Sequence, residues 1–95
     1  MIKYLENDNF DEIIKEGKLL VDFYADWCGP CKMLGSVLED VDFVDILKVN
    51  TDMHPELARK YGVMSIPTLI VFENGEIKKQ SVGFKDIDEI KEMIK

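Results

Sequence analysis

The chain has 95 residues, of which 46% are hydrophobic and 33% charged, and this composition predicts one small globular domain spanning residues 1–95. Twelve basic residues stand against nineteen acidic ones, giving a net charge of −7 that disfavours nucleic acid and anionic membrane surfaces as partners. The first ten residues lack the long apolar core of a signal peptide, and no apolar run approaches the ~20 residues of a membrane span. We therefore expect a cytoplasmic location.

Apolar periodicity and cap residues divide the chain into predicted strands and helices. Asn9, with Glu12 three positions later, resembles a capping box at the start of a first helix, and Asp86 with Glu89 repeats that pattern near the C-terminus. In chain order the patterns predict a strand at 2–5, a helix from Asn9 to before Gly17, a strand at 19–25, a helix from 32 to about 41, a strand at 46–50, a helix at 54–61, strands at 68–72 and 77–82, and a last helix from 86.

Two of these strands indicate the architecture. Residues 19–25 form a near-continuous apolar run, which is typical of a strand covered on both faces in a parallel sheet. The pair Asn74-Gly75 favours a two-residue turn, so the last two strands should be antiparallel. The expected fold class is α/β, with a single central mixed β-sheet flanked by helices on both faces.

The two cysteines fall between the predicted central strand and the helix after it. A thiol reacts as its thiolate, and the positive end of a helix lowers the pKa of a cysteine there from the free value of ~8.5. Cys28 should hold that position, and Cys31 follows within the same turn, where it can attack a mixed disulfide formed on Cys28. The intervening Gly29 and Pro30 add no charge, which favours reduction of clients over their oxidation.

Cys-x-x-Cys is also half of many zinc sites. A structural zinc ion takes four ligands, usually cysteine or histidine, and this chain offers two cysteines and His54. A zinc site within one chain is therefore disfavoured, whereas a site shared across a dimer stays open.

Several other side chains have two interpretations from the residues alone. Asp22, inside the apolar run, is either exposed at a strand end or a buried acid with a raised pKa suited to proton transfer. Lys48 is most simply a solvated charge at a strand edge. Met64 and Phe84 belong either to the core or to an apolar rim around the cysteines, whereas Trp27, directly before Cys28, is hard to bury fully.

Five segments in order resemble the thioredoxin family. They are VDFYADWCGPCK at 21–32, KVNTD at 48–52, YGV at 61–63, IPTL at 66–69 and FENG at 72–75. The resemblance implies the thioredoxin fold and a thiol–disulfide oxidoreductase that reduces client proteins through a reversible Cys28–Cys31 cycle. It implies no metal or bound cofactor, with electrons supplied by a thioredoxin reductase that is either an NADPH flavoprotein or a ferredoxin-linked enzyme.

The resemblance also implies roles for individual residues. Cys28 is the nucleophile, Cys31 resolves the mixed disulfide, Asp22 relays the proton of Cys31, and Lys48 acts electrostatically on Asp22. The proline at position 67 should follow a cis peptide bond and face the disulfide. The residues expected to bind the client are Trp27, Gly29, Pro30, Ile66, Pro67 and Gly83.

The helix after Cys31 departs from the family pattern. Gly35-Ser36 stands where thioredoxins often have a proline that kinks the helix, so a bend there is expected to come from the glycine instead. The alternative function is a thioredoxin-like binding or chaperone subunit whose thiols are dispensable. An oxidase or isomerase is disfavoured by the uncharged Gly29-Pro30 spacer. A monomer is the expected oligomeric state.

Overall fold

The computed structural model describes residues 1–7 and 9–95. Its strands and helices follow one another as β1 (Ile2–Tyr4), α1 (Phe10–Ile14), β2 (Lys18–Tyr24), α2 (Gly29–Leu38), β3 (Asp45–Asn50), α3 (Pro55–Lys60), β4 (Thr68–Glu73), β5 (Glu76–Val82) and α4 (Ile87–Ile94).

The five strands form one mixed sheet in the order β1-β3-β2-β4-β5. β1, β3 and β2 run parallel, whereas β4 pairs antiparallel with both β2 and β5. β2 is therefore the central strand, and Asp22 in it lies between Lys48 of β3 and Leu69 of β4. The predicted mixed sheet and the antiparallel last pair are confirmed.

Two apolar clusters cover the two faces of the sheet. Val21 and Phe23 of β2 pack with Phe10 of α1, and Leu57 of α3 packs against that cluster. Leu20, on the other face, packs with residues of the two remaining helices, namely Leu34, Leu38 and Ile90. Because side chains alternate along a strand, Asp22 shares the face of Leu20, which is the face that α2 covers.

The predicted element boundaries differ from the structure mainly at helix ends. Asn9 does cap α1, but its side chain accepts the N–H of Asp11. α2 ends at Leu38 rather than near Val41. The N–H groups of Asp40 and Val41 donate to carbonyl oxygens three residues earlier, and not four as in an α-helix. The capping box at Asp86 is confirmed. Across residues 1–7 and 9–95, no helix is both long enough and apolar enough to cross a bilayer.

Candidate active site

Cys28 begins α2. Its backbone is extended, with φ of −90° and ψ of 113°, so it is the N-cap, and its Sγ accepts a hydrogen bond of 3.2 Å from the backbone N–H of Cys31. The two cysteines are joined by a disulfide, with their Cα atoms 5.2 Å apart. Pro30 lies in the first turn of α2, where an N–H has no partner within the helix and its loss costs nothing. The predicted place of Cys28 at a helix N-terminus is confirmed.

The disulfide faces the loop before β4. Cys28 Sγ lies 3.8 Å from the carbonyl oxygen of Ile66, and the Ile66–Pro67 peptide bond is cis, as the resemblance implies. Gly83 donates its N–H to the Pro67 carbonyl at 2.8 Å with a φ of +96°, a backbone region that favours glycine. These contacts place Ile66, Pro67 and Gly83 together beside the cysteine pair.

Asp22 is a fully buried acid. Lys48 Nζ lies 3.6 Å from Asp22 Oδ2, and within the described part of the chain neither carboxyl oxygen has a hydrogen-bond partner. Burial raises the pKa of Asp22 from 3.8 to about 6, since a charged carboxylate is poorly solvated there, and the positive charge of Lys48 opposes that rise. The interpretation of Asp22 as a buried acid is confirmed, and that of Lys48 as a solvated edge charge is wrong.

A cleft of about 230 Å³ opens beside this ion pair. Its walls include Cys31, Lys48, Tyr24, Gly35 and Ser36. Cys31 and the ammonium group paired with Asp22 therefore line one water-accessible space. Of the ion pair, Lys48 lines the cleft, while the Asp22 side chain is fully buried.

Known proteins with the same sequence pattern and the same fold identify the family. The family model described as Thioredoxin matches residues 1–95. The chain is 47% identical over 98 residues to a thioredoxin of Chlamydia muridarum, covering 99% of this chain and 96% of that one. It is 50% identical over 93 residues to a thioredoxin of Staphylococcus haemolyticus, covering 93% and 89%. The chain belongs to the thioredoxin family.

A solved structure agrees with this assignment. A mutant thioredoxin from Halobacterium salinarum superposes with a TM-score of 0.89 at 37% identity, covering 98% of this chain and 87% of that one. The chain is thus a protein-disulfide reductase of the thioredoxin type, an electron carrier whose redox group is the Cys28–Cys31 pair. Family membership also implies that its partners are a thioredoxin reductase and client proteins with disulfides.

Thioredoxins need no bound cofactor, because the cysteine pair itself carries the electrons. In residues 1–7 and 9–95 no group of three or more histidine, cysteine, aspartate or glutamate side chains is placed to hold a metal ion. The ring of His54, the third residue considered for zinc, lies with Nε2 3.3 Å from the carbonyl oxygen of Leu5.

Large apolar side chains are exposed in the segments that also carry Cys28, Ile66 and Gly83. Trp27 is 70% exposed, Met64 96% and Phe84 39%, so Met64 and Phe84 lie outside the core. Exposed apolar side chains next to a reactive group are typical of a docking surface.

Sequence reasoning missed two contacts at this thioredoxin site. Asp52 accepts a hydrogen bond of 2.9 Å from the indole N–H of Trp27, and the rings of Tyr4 and Tyr24 lie beside the Lys48 ammonium. No local sequence signal indicated the contact of Tyr4, because only the parallel pairing of β1 with β3 brings Tyr4 level with Lys48.

Proposed function

We propose that Cys28 is the nucleophile of the reductase cycle and Cys31 its resolving thiol. In the dithiol form, the Cys28 thiolate attacks a client disulfide. The Cys28–client bond forms, the client S–S bond breaks, and the second client sulfur leaves as a thiolate that takes a proton. Cys31 then loses its proton and attacks Cys28 Sγ. The Cys28–Cys31 bond forms, the Cys28–client bond breaks, and the client sulfur leaves as a thiolate that takes a proton.

The observation that carries this assignment is the place of Cys28 as the N-cap of α2. The N–H of Cys31 points at Cys28 Sγ over 3.2 Å, and the same donor stabilises negative charge on that sulfur. Cys28 is 5% exposed and Cys31 2%. Both cysteines are nearly buried, so the N-cap position and the N–H donor to Sγ, and not exposure, favour Cys28 for the first attack.

We propose that Asp22 accepts the proton that Cys31 loses in the resolving step. Its raised pKa of about 6 lets it take the proton of Cys31 near neutral pH and return it in the reverse direction. Lys48, 3.6 Å from Asp22 Oδ2, limits that rise in pKa and keeps a share of Asp22 ionised. The cleft that Cys31 and Lys48 both line supports this route.

Clients are proposed to lie across the disulfide in an extended conformation. The backbone of Ile66, before Pro67, offers hydrogen-bonding groups next to Cys28, as the 3.8 Å contact from its carbonyl oxygen to Cys28 Sγ indicates. Trp27 adds an apolar face. Gly29, Pro30 and Gly83 are proposed to complete this surface, since none of them carries a side chain that would block a client backbone.

We further propose that residues 1–95 form one domain that acts as a monomer in the cytoplasm. Electrons come from a reductase that is either an NADPH-dependent flavoprotein or a ferredoxin-linked enzyme. Each turn supplies two electrons and two protons, which cleave the Cys28–Cys31 disulfide and restore the dithiol.

The test is reduction of a disulfide-containing client protein with each reductase type in turn as the electron source. The wild-type chain should reduce the client with one of them, and the Cys28→Ser, Cys31→Ser double variant should not. A dithiol potential near the ~−270 mV of thioredoxin, rather than the ~−120 mV of a strong oxidant, is expected. Full biological activity in the double variant would instead support the binding or chaperone alternative.

A further inference from the structure

Lys48 is enclosed by aromatic rings as well as by Asp22. Its Nζ lies 4.5 Å from the ring centroid of Tyr24 and 5.7 Å from that of Tyr4. The two rings contact each other edge to face, with centroids 6.3 Å apart. Only 10% of the Lys48 side chain is exposed. The ammonium group therefore sits in a corner formed by two tyrosine rings and one carboxylate.

The sheet itself builds this corner. Lys48 of β3 pairs with Tyr4 of β1 on one side and with Asp22 of β2 on the other, so the three side chains form a row on the face covered by α2. From α2, Gly35 lies next to the ammonium group, because a Cβ atom there would lie 3.4 Å from Lys48 Nζ. A glycine at this position leaves that space free of a Cβ atom.

The ammonium group of a lysine at this position can move away from Asp22. Its long flexible stem lets the ammonium group turn toward water, and the cleft that Lys48 and Tyr4 both line opens to solvent. Tyr4 is 54% exposed and forms the outer wall of that route. A ring near the ammonium group attracts it through the negative face of the π system, which opposes its escape.

We propose that Tyr4 is a positioning residue for the reductase reaction, because its ring, together with that of Tyr24, holds the Lys48 ammonium group against Asp22. A side chain on the edge strand β1 thereby influences proton exchange at the carboxylate next to the cysteine pair. The inference rests on the proposed roles of Asp22 and Lys48 in the reductase cycle.

The proton equilibrium of Asp22 depends on groups from each element packed around it. The titratable and charged groups that line the same cleft or contact these residues come from four parts of the chain. They are Tyr4 of β1, Tyr24 of β2 with Asp26 after it, Lys48 of β3, and Lys32 of α2 with Glu39 at its C-cap. Cys31 also lines the cleft, but as part of the disulfide it does not titrate. Lys48 is the group that lowers the pKa of Asp22. Displacing it must therefore raise the pH at which Asp22 titrates.

The experiment compares Tyr4→Leu with Tyr4→Phe. The midpoint of Asp22 titration is followed by NMR of its carboxyl carbon in the disulfide form, and the pH profile of client reduction is measured in parallel on the dithiol form of each variant. Tyr4→Leu removes the ring and should move both midpoints to higher pH. Tyr4→Phe keeps the ring without the hydroxyl and should leave them at the wild-type values.

Lys48→Gln sets the scale of the effect. It should raise the Asp22 midpoint more than Tyr4→Leu does. Lys48→Gln removes the positive charge, whereas Tyr4→Leu only lets the ammonium group move away from Asp22. If Lys48→Gln shifts the Asp22 midpoint and Tyr4→Leu does not, the role of Tyr4 is overturned while that of Lys48 stands. The same holds if Tyr4→Phe shifts the midpoint as much as Tyr4→Leu does. Absence of any shift in Lys48→Gln overturns the electrostatic role of Lys48 itself. Urea unfolding of each variant verifies that the fold is retained.

Discussion

The indole N–H of Trp27 donates a hydrogen bond of 2.9 Å to Asp52 Oδ2, which ties the loop before Cys28 to the turn after β3. Asp52→Ala removes the acceptor and should loosen the indole, the single tryptophan of the chain. We expect a change in its fluorescence emission and anisotropy. We also expect about a threefold loss in kcat/KM for client reduction, corresponding to less than ~1 kcal/mol for one hydrogen bond at an exposed site.

Asp40→Asn is the matched control for that variant. Asp40 is exposed after the end of α2, and its substitution changes the net charge by the same amount without touching Trp27. It should leave both the fluorescence and the client kinetics at the wild-type values. Equal effects of the two variants would mean that net charge, and not the Trp27–Asp52 bond, sets the rate.

The burial of Asp22 makes stability depend on pH. Its pKa is raised from 3.8 to about 6 in the folded protein, so between these values the native state keeps a proton that the unfolded state has released. Stability conferred by that proton is present below pH 4 and is lost as pH rises through 6. The loss amounts to about 3 kcal/mol, since one pKa unit corresponds to ~1.4 kcal/mol.

Asp22→Asn abolishes this titration. The free energy of unfolding of the variant, relative to that of the wild type, should therefore increase by about 3 kcal/mol between pH 4 and pH 8. Urea unfolding of the two oxidised proteins at both pH values measures the difference. A constant difference across this range would show that Asp22 titrates with the same pKa in the folded and unfolded protein, so that burial does not raise it.

Met64 tests the apolar rim. It is 96% exposed and lies two residues before Ile66, so Met64→Glu should change the free energy of unfolding by no more than ~0.5 kcal/mol. It should nevertheless lower kcat/KM for client proteins by about threefold or more, because docking an apolar client segment would desolvate the new carboxylate.

Met53 provides the comparison for that substitution, since it is 64% exposed and follows Asp52 rather than preceding Ile66. Met53→Glu adds the same charge and should have the smaller effect on client reduction. If the two variants lose activity equally, the rim has no special part in binding clients.

The position of Cys28 was predictable because it depends on local features. A continuous apolar strand followed by a helical period places Cys28 at a helix N-terminus, and the structure has it as the N-cap of α2. The capping box at Asp86 and Glu89 was equally readable, since all its atoms lie within one turn. Residues close in sequence specify such features without knowledge of the fold.

The surroundings of Lys48 were harder to predict because they depend on strand order. Periodicity indicates that residues 46–50 form a strand, but it does not say that β3 lies between β1 and β2. Only that order brings Tyr4 and Asp22 to opposite sides of Lys48 and turns an expected solvated charge into a buried one. The end of α2 was also missed, because the apolar period continues to Val41 after the helical hydrogen bonds have shifted.

Mixed-disulfide trapping tests most directly the division of labour between Cys28 and Cys31. Reduced Cys31→Ser, which lacks the resolving thiol, is mixed with disulfide-containing client proteins, and the adducts are analysed by non-reducing electrophoresis and mass spectrometry. With Cys28 as the nucleophile, we predict clients bound covalently to Cys28, and none bound to the Cys28→Ser variant treated in the same way. Trapping through Cys31 in Cys28→Ser, or no adduct on a folded Cys31→Ser protein, would contradict that assignment.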